Sequence, residues 1–346
     1  MSGNIGINEG RYMKIVIYGI GKGYSVFFER NNTFLKRNIH AADIQIIGFV
    51  DGNRALWGTK VTYDRREFII QNIEDFSKEI VEGVIVTTEL FFEEIKEELV
   101  GKGYREEQIF LINELYDSYL GQLFSKGDFE NKIGLEIGGP TDLFYRIYEQ
   151  CQICDNVNFS SDTVWWKNET NDYRYKNKVL GNTLILEATH MTQIQNETYD
   201  FVISSNNLEH IANPLKALKE FARVTKVDGT VLVIVPRKEE TFDRNREDTP
   251  FEHLLEDYKN DVGEDDLAHL SEIIEKHDYN MDIGCGGKEN FIKRAKKNIE
   301  NRCLHHHVFN EKCLRKSFIF AGLEILDFAE IIGNWFVVGK KREQKL

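Results

Sequence analysis

Short apolar runs broken by glycine and acidic turns recur along this chain, and their spacing predicts strands alternating with helices. Residues 132–140, KIGLEIGGP, read as a buried strand that ends near Glu136 and breaks into the tight turn Gly138-Gly139-Pro140. Downstream, TLILEA at 183–188 and YDFVISS at 199–205 read as further strands. The second of these leads into Asn206-Asn207-Leu208-Glu209-His210 and then a helical stretch starting near Pro214. TVLVIVP at 230–236 follows a turn at Asp228-Gly229. Strands alternating with helical segments imply a parallel sheet. GLEILDFAEI, a break at Gly333-Asn334 and WFVVGKK close the chain, and two strands joined so briefly must be antiparallel.

A second unit of the same α/β class precedes this one. MKIVIY at 13–18 runs into Gly19-Ile20-Gly21-Lys22-Gly23-Tyr24, and IQIIGFV ends on Asp51. Glycines after a first strand and an acid after the second let backbone N–H groups meet a phosphate while the acid meets a ribose. Gly19, Gly21, Gly23 and Asp51 are thus candidates for a nucleotide pocket, with the third glycine one place early for GxGxxG and Tyr24 in its stead. The domain organisation expected is a flexible N-terminus at 1–11, a nucleotide-binding domain at 12–120, a linker at 121–131 and a second domain at 132–342. Within the second, residues 237–316 form a long insertion after the fifth strand, expected to be helical and to cover the strand ends as an acceptor-binding lid.

That insertion holds most of the chain's titratable candidates. His253 and Asp257 stand four apart and share one side of a helix, as do Asp265 and His269 if that stretch is helical. Such pairs orient an imidazole as a general base, bind a divalent metal, or lie on a solvated face. His305, His306 and His307 point in different directions on either a helix or a strand, so they cannot all ligate one ion. Cys151 and Cys154 form a CxxC without a second pair, and no metal site is expected.

LEIGGP resembles the first motif of the class I S-adenosylmethionine-dependent methyltransferases, LEA at 186–188 the segment that lines the adenine, YDFVISSNNLEHIANP the fourth-strand motif and TVLVIVPR the fifth. The resemblance, of the type 11 kind, covers about residues 132–342. It implies a seven-stranded sheet with an antiparallel final hairpin and S-adenosylmethionine as cofactor. The cofactor residues it implies are Glu136, Gly138, Gly139, Pro140, Ser160, Glu187, Ala188, Asn206, Asn207 and Leu208. The family's ribose-binding acid has no clean equivalent in DNVNFSSD at 155–162, where Ser160 and Asp162 are the alternatives. Pro140 in place of a third glycine resembles methyltransferases encoded among cell-surface polysaccharide genes. In such enzymes the segment around His210 faces cofactor and acceptor, so His210 is the first candidate for a general base, followed by His253 supported by Asp257. GFVDGNRALWGTKV, VEGVIVTTE and KGYREEQIFLIN resemble the Rossmann-like domain at the front of bacterial sugar-modifying acyltransferases, a domain that often meets a nucleotide-sugar.

Composition agrees with a cytoplasmic enzyme. At 346 residues the chain is long enough for two cored domains, and no apolar stretch approaches the length of a membrane span. A net charge of -13 argues against a nucleic-acid partner, and five irregularly spaced cysteines suit a reducing compartment. The expected activity is methylation, at oxygen, of a sugar, nucleotide-sugar or glycan precursor in surface-polysaccharide biosynthesis. The alternatives are an NAD-dependent oxidoreductase or epimerase of nucleotide sugars and a non-catalytic nucleotide-binding partner of a glycan-assembly complex. The oligomeric state is not legible.

Overall fold

The computed structural model describes residues 13–21, 24, 44–63, 66–112, 121, 123–163, 171–331 and 333–343. The chain divides into two compact units, Met1–Gln122 with Glu330–Ile332, and Leu123–Ala329 with Gly333–Leu346. Gly23 and the expected flexible residues 1–11 lie outside the described residues.

The first unit is built on β1 (Met13–Tyr18), β2 (Ile44–Val50), β3 (Lys60–Tyr63), β4 (Arg66–Gln71), β5 (Gly83–Val86) and β6 (Ile109–Leu111), with helix α1 (Phe92–Gly101). Their order across the sheet is β3-β4-β2-β1-β5-β6, parallel except for the β3–β4 pair. β1 and β5 are buried along most of their length, as strands covered on both faces require. Tyr24, which displaces the third glycine, is buried with its ring edge-on to Phe49 at 5.7 Å. Asp51 is spent on the backbone: it accepts hydrogen bonds from the Ile20 and Asn53 amides, both at 2.8 Å. That fixes the turn after β1, where Gly19 has φ +98 and a Cβ would sit 2.8 Å from the Thr87 hydroxyl.

The second unit carries β7 (Ile133–Ile137), β8 (Ile153–Asn158), β9 (Asp172–Tyr175), β10 (Lys178–Ile185), β11 (Tyr199–Ser205), β12 (Thr225–Pro236), β13 (Leu323–Ile331) and β14 (Asn334–Lys341). Their order is β13-β14-β12-β11-β7-β8-β10-β9. β7 runs parallel to β8 and β11, β11 parallel to β12, and β14 antiparallel to β12, so the expected antiparallel ending is present. The expected seven strands become eight. β9 pairs antiparallel with Lys178–Asn182 of β10, whose last residues, Thr183–Ile185, pair parallel with β8. Gly181 sits where β10 changes partner, and a Cβ there would lie 2.4 Å from the Cys154 carbonyl oxygen.

The expected linker is only partly one. Leu123, Phe124 and Phe129 are buried, and the Phe129 ring meets Phe201 of β11 edge-on at 5.1 Å. Helix α2 (Tyr145–Gln150) follows β7, and α3 (Pro214–Val224) connects β11 to β12. Asn213 caps α3 by accepting from the Lys216 amide, and Pro214 occupies the first helical position, where a missing N–H costs nothing. The insertion is helical, as expected: α4 (Phe251–Asn260), α5 (Leu270–Lys276), α6 (Lys288–Ala295) and α7 (Asn298–Asn301) precede α8 (Glu311–Phe320). It has its own small core of Ile273, Cys285, Phe291, Ala295 and Leu304. No helix among the described residues is long and apolar enough to cross a membrane.

The central strand depends on one small residue. A Cβ on Gly134 of β7 would sit 2.0 Å from the Phe201 ring, so the two neighbouring strands have room for one side chain between them. Gly134→Ala is expected to destabilise the second unit by about 1–3 kcal/mol through overpacking, read as a lowered urea midpoint. An unchanged midpoint would show that Phe201 moves aside at no cost.

Candidate active site

Strand order reverses at β7, with β8 on one side and β11 on the other, and open α/β sheets bind ligands outside the carboxyl ends of the strands at such a point. A cavity of about 620 Å³ lies there. Its wall comes from the ends of five strands: Gly138-Gly139-Pro140-Thr141 after β7, Asn158 and Phe159 at the end of β8, Leu186–Thr189 after β10, Ser205-Asn206-Asn207 with Glu209-His210-Ile211 after β11, and Pro236 of β12. The insertion adds Thr241, Glu264, Arg302 and His305.

The turn after β7 is fixed from beneath. Gly138 and Gly139 have φ +83 and +74, a region that side chains disfavour. Asn156 of β8, fully buried, donates its amide to the carbonyls of Glu136 and Gly138. Glu136 is completely buried, and its Oε2 accepts hydrogen bonds from the Tyr148 and Tyr173 hydroxyls, each at 2.7 Å. Burial pushes its carboxyl up to about 8, against the pull of those two hydroxyls. Glu136 is therefore a neutral prop under the turn and is not among the residues lining the cavity, contrary to the direct cofactor contact expected of it. A Cβ on Gly139 would lie 2.0 Å from its Oε1.

Of the other expected cofactor residues, Gly138, Gly139, Pro140, Glu187, Ala188, Asn206 and Asn207 line the cavity. Leu208 is fully buried in the core behind it. Ser160 is outside the wall: its hydroxyl accepts from the Asp162 amide in a local turn. The position at the end of β8 belongs to Asn158, the last residue of that strand. Arg302, which sequence reading passed over, closes one side by pairing with Glu187 at 2.6 Å and Glu264 at 2.9 Å while its guanidinium lies 5.0 Å from the Phe159 ring centre.

His210 lines the cavity. Its Nδ1 lies 3.1 Å from the Leu304 carbonyl, which can only accept, so Nδ1 carries the proton and Nε2 is the basic atom of the ring. Burial, reinforced by His305, holds its pKa well below the usual imidazole range, so it is neutral at pH 7. The His305 ring packs edge-on against it at 4.5 Å. His305 Nδ1 is 2.5 Å from Asp243 Oδ2, and although burial opposes its charge, that carboxylate raises the imidazole's pKa. Burial would raise Asp243, but His305 and Arg246 together hold it down to about 2. Glu209, also on the wall and almost wholly buried, is pushed up to about 7 by burial, with His305 pulling the other way.

His253 and Asp257 are brought together on α4, 3.3 Å apart, but neither lines the cavity. His269 precedes α5 in a stretch of turns, so Asp265 and His269 do not share a helix face. The three consecutive histidines diverge as expected: His305 to Asp243, His306 to Asn298 and His307 to the Ala212 carbonyl.

Residues 135–233 match a family described as Methyltransferase domain, and residues 11–110 match one described as C2185-like, N-terminal. The latter stands where a likeness to sugar acyltransferases was expected; that likeness is not shown. No curated protein matches the chain. Solved structures similar to it include a SAM dependent methyltransferase from Aquifex aeolicus (16% identity, covering 63% of this chain and 87% of that one, TM-score 0.36). The N-methyltransferase NodS from Bradyrhizobium japonicum is 10% identical, with 67% and 97% covered and a TM-score of 0.37. The 1,6-didemethyltoxoflavin-N1-methyltransferase from Burkholderia thailandensis, solved with S-adenosylhomocysteine, is 11% identical, with 65% and 76% covered and a TM-score of 0.37. Residues 135–233 are thus a methyltransferase domain, for which S-adenosylmethionine is the expected cofactor. The site fits that cofactor: two positive-φ glycines leave a cradle on the cavity wall that a side chain would fill, since a Cβ on Gly138 would sit 2.9 Å from the Asn207 amide.

Two outcomes follow from this geometry. Gly138→Val is expected to weaken S-adenosylhomocysteine binding at least tenfold, about 1.4 kcal/mol, in calorimetry, with the first unit still folded. Unchanged affinity would remove the turn from the cofactor site. For Glu136, the native carboxyl keeps a proton between pH 4.5 and about 8 that the unfolded chain has released. Its contribution to stability is therefore full below pH 4.5 and is lost as pH rises toward about 8, by at most about 1.4 kcal/mol per pH unit. Glu136→Gln should flatten that decline in thermal melts across this window; parallel melting curves for the two proteins would show that Glu136 is ionised.

Proposed function

We propose that this methyltransferase methylates a hydroxyl of a sugar, nucleotide-sugar or glycan precursor in the cytoplasm, in the assembly of a surface polysaccharide. The observation that carries the reading is His210: a neutral imidazole on the cavity wall, its Nδ1–H committed to the Leu304 carbonyl and its Nε2 basic. A hydroxyl is a poor nucleophile until its proton is removed, and His210, neutral at pH 7 though made a weaker base by its burial, is the imidazole positioned on the wall to take it.

Gly138, Gly139, Pro140, Asn158, Glu187, Ala188, Asn206 and Asn207 would hold the cofactor. When bound, S-adenosylmethionine supplies an electrophilic methyl group. The chain's own contribution is mostly alignment, because a displacement in line is accelerated chiefly by holding the two reacting atoms in register. His210 Nε2 takes the acceptor's proton, and the adjacent Asp243–His305 pair keeps the His210 ring packed in place. Glu209, Asn206, Asn207 and Thr241 give the wall polar groups suited to a hydroxyl-rich acceptor. The first unit serves in this reading as the nucleotide-sugar domain, binding through groups other than Asp51 and the Ile20 amide, which hydrogen-bond each other.

The test is methyl transfer from labelled S-adenosylmethionine to a panel of UDP-sugars and free glycans. His210→Ala is expected to lower turnover by about 10²–10⁴-fold with S-adenosylhomocysteine affinity kept. A normal rate in the variant would reduce His210 to a packing residue. Transfer to amines but not to hydroxyls would overturn the acceptor class.

A further inference from the structure

A second group of histidines lies in the insertion, apart from the residues lining the cavity. His253 and Asp257 project from one side of α4, His269 stands immediately before α5, and His307 belongs to the segment that leads into α8. One ring nitrogen from each of the three histidines falls within 4.8 Å of the others. His253 Nε2 is 3.0 Å from His269 Nε2 and 3.3 Å from Asp257 Oδ2. Ligand atoms about 2.0–2.1 Å from a tetrahedral ion stand roughly 3.3 Å from one another, so these separations are those of a ligand shell.

We infer that His253, His269 and His307 bind one divalent ion of the zinc class, with Asp257 beside two of them. Three imidazoles form a donor set suited to zinc and its neighbours rather than to magnesium or calcium, which take oxygen. Asp257 Oδ2 makes no hydrogen bond and lies 3.3 Å from His253 Nε2 and 3.7 Å from His307 Nε2, and His307 Nδ1 is buried without a hydrogen bond. His307 Nε2 lies 3.1 Å from the Ala212 carbonyl, the outer contact by which metal-bound histidines are oriented, and Nδ1 is the nitrogen left for the ion.

The ion would tie α4, the start of α5 and residues 304–307 into one piece. Leu304 and His305 in that piece contact His210, so the ion stiffens the wall of the active site without touching the acceptor. Its role there is positioning.

Metal content decides the matter without any acceptor or cofactor. Protein made without a histidine tag, loaded with zinc and dialysed, is expected to hold one zinc per chain by plasma mass spectrometry. His269→Ala is expected to lose it, and Asp257→Asn to hold it more weakly in competition with a chromophoric chelator. Cobalt in place of zinc should give the strong visible bands of a tetrahedral site without thiolate charge transfer. That spectrum excludes the thiol-bearing group His277, Asp282 and Cys285, and zinc held in full by His210→Ala would exclude the third group, Glu209, His210 and His305. Wild-type protein that takes up no zinc, variants that retain it in full, or a thiolate band on cobalt would each overturn the assignment.

Discussion

The site rests on a carboxyl group that never reaches it. Glu136 ends the central strand as a fully buried acid, held by two tyrosine hydroxyls directly beneath the Gly138-Gly139 turn. A charged carboxylate at that depth would cost several kcal/mol, so the group keeps its proton. The turn can then lie flat on it only because Gly139 has no Cβ. Tyr148 comes from α2 and Tyr173 from the added strand β9, so one buried acid joins three elements to the floor of the cavity. This gives β9 a purpose: it widens the sheet and delivers the second hydroxyl.

The opposite wall depends on a buried ion pair. Residues 303–309 run through the interior without a place in the sheet, so their backbone groups need partners from elsewhere. The Arg246 guanidinium, itself buried, donates to the carbonyls of His305 and His306 at 2.7 and 3.1 Å and to Asp243 at 2.9 Å. Asp243 in turn holds His305. A buried arginine is costly unless its donors are met, and here Nη1 and Nη2 are met by Asp243 and the segment it supports, while Nε lies 3.7 Å from Glu272.

Much of this was legible and some was not, for physical reasons. β11 has the bounds that its apolar run indicated, and α3 begins at Pro214, because buried strands and capped helices declare themselves locally. The glycine turn and the Asn206–His210 segment were legible for the same reason. β9 was missed since DYRY has no apolar run; its signal was the two-residue turn Lys176-Asn177, with Lys176 at φ +52. Asn158, rather than Ser160, lines the cavity at the end of β8, and an asparagine there carries none of the charge by which the family's acid is recognised in a sequence. Asp243 and Arg246 stand three apart, but they meet His305 only through the fold, from about sixty residues away, and no periodicity connects them to it.

The insertion therefore does more than cover the strand ends. A lid that closes by hinge motion needs few buried contacts at its base, whereas this one has its own apolar core and a buried charge network behind His305. Arg302 extends that network across the cavity mouth to Glu187 and Glu264. Of these groups only the Glu187 side chain, 46% exposed, is open to water, whereas Arg302 and Glu264 are each 12% exposed. A wall packed in this way holds His210 and His305 in one arrangement, which suits the proposed reaction, whose rate depends on alignment.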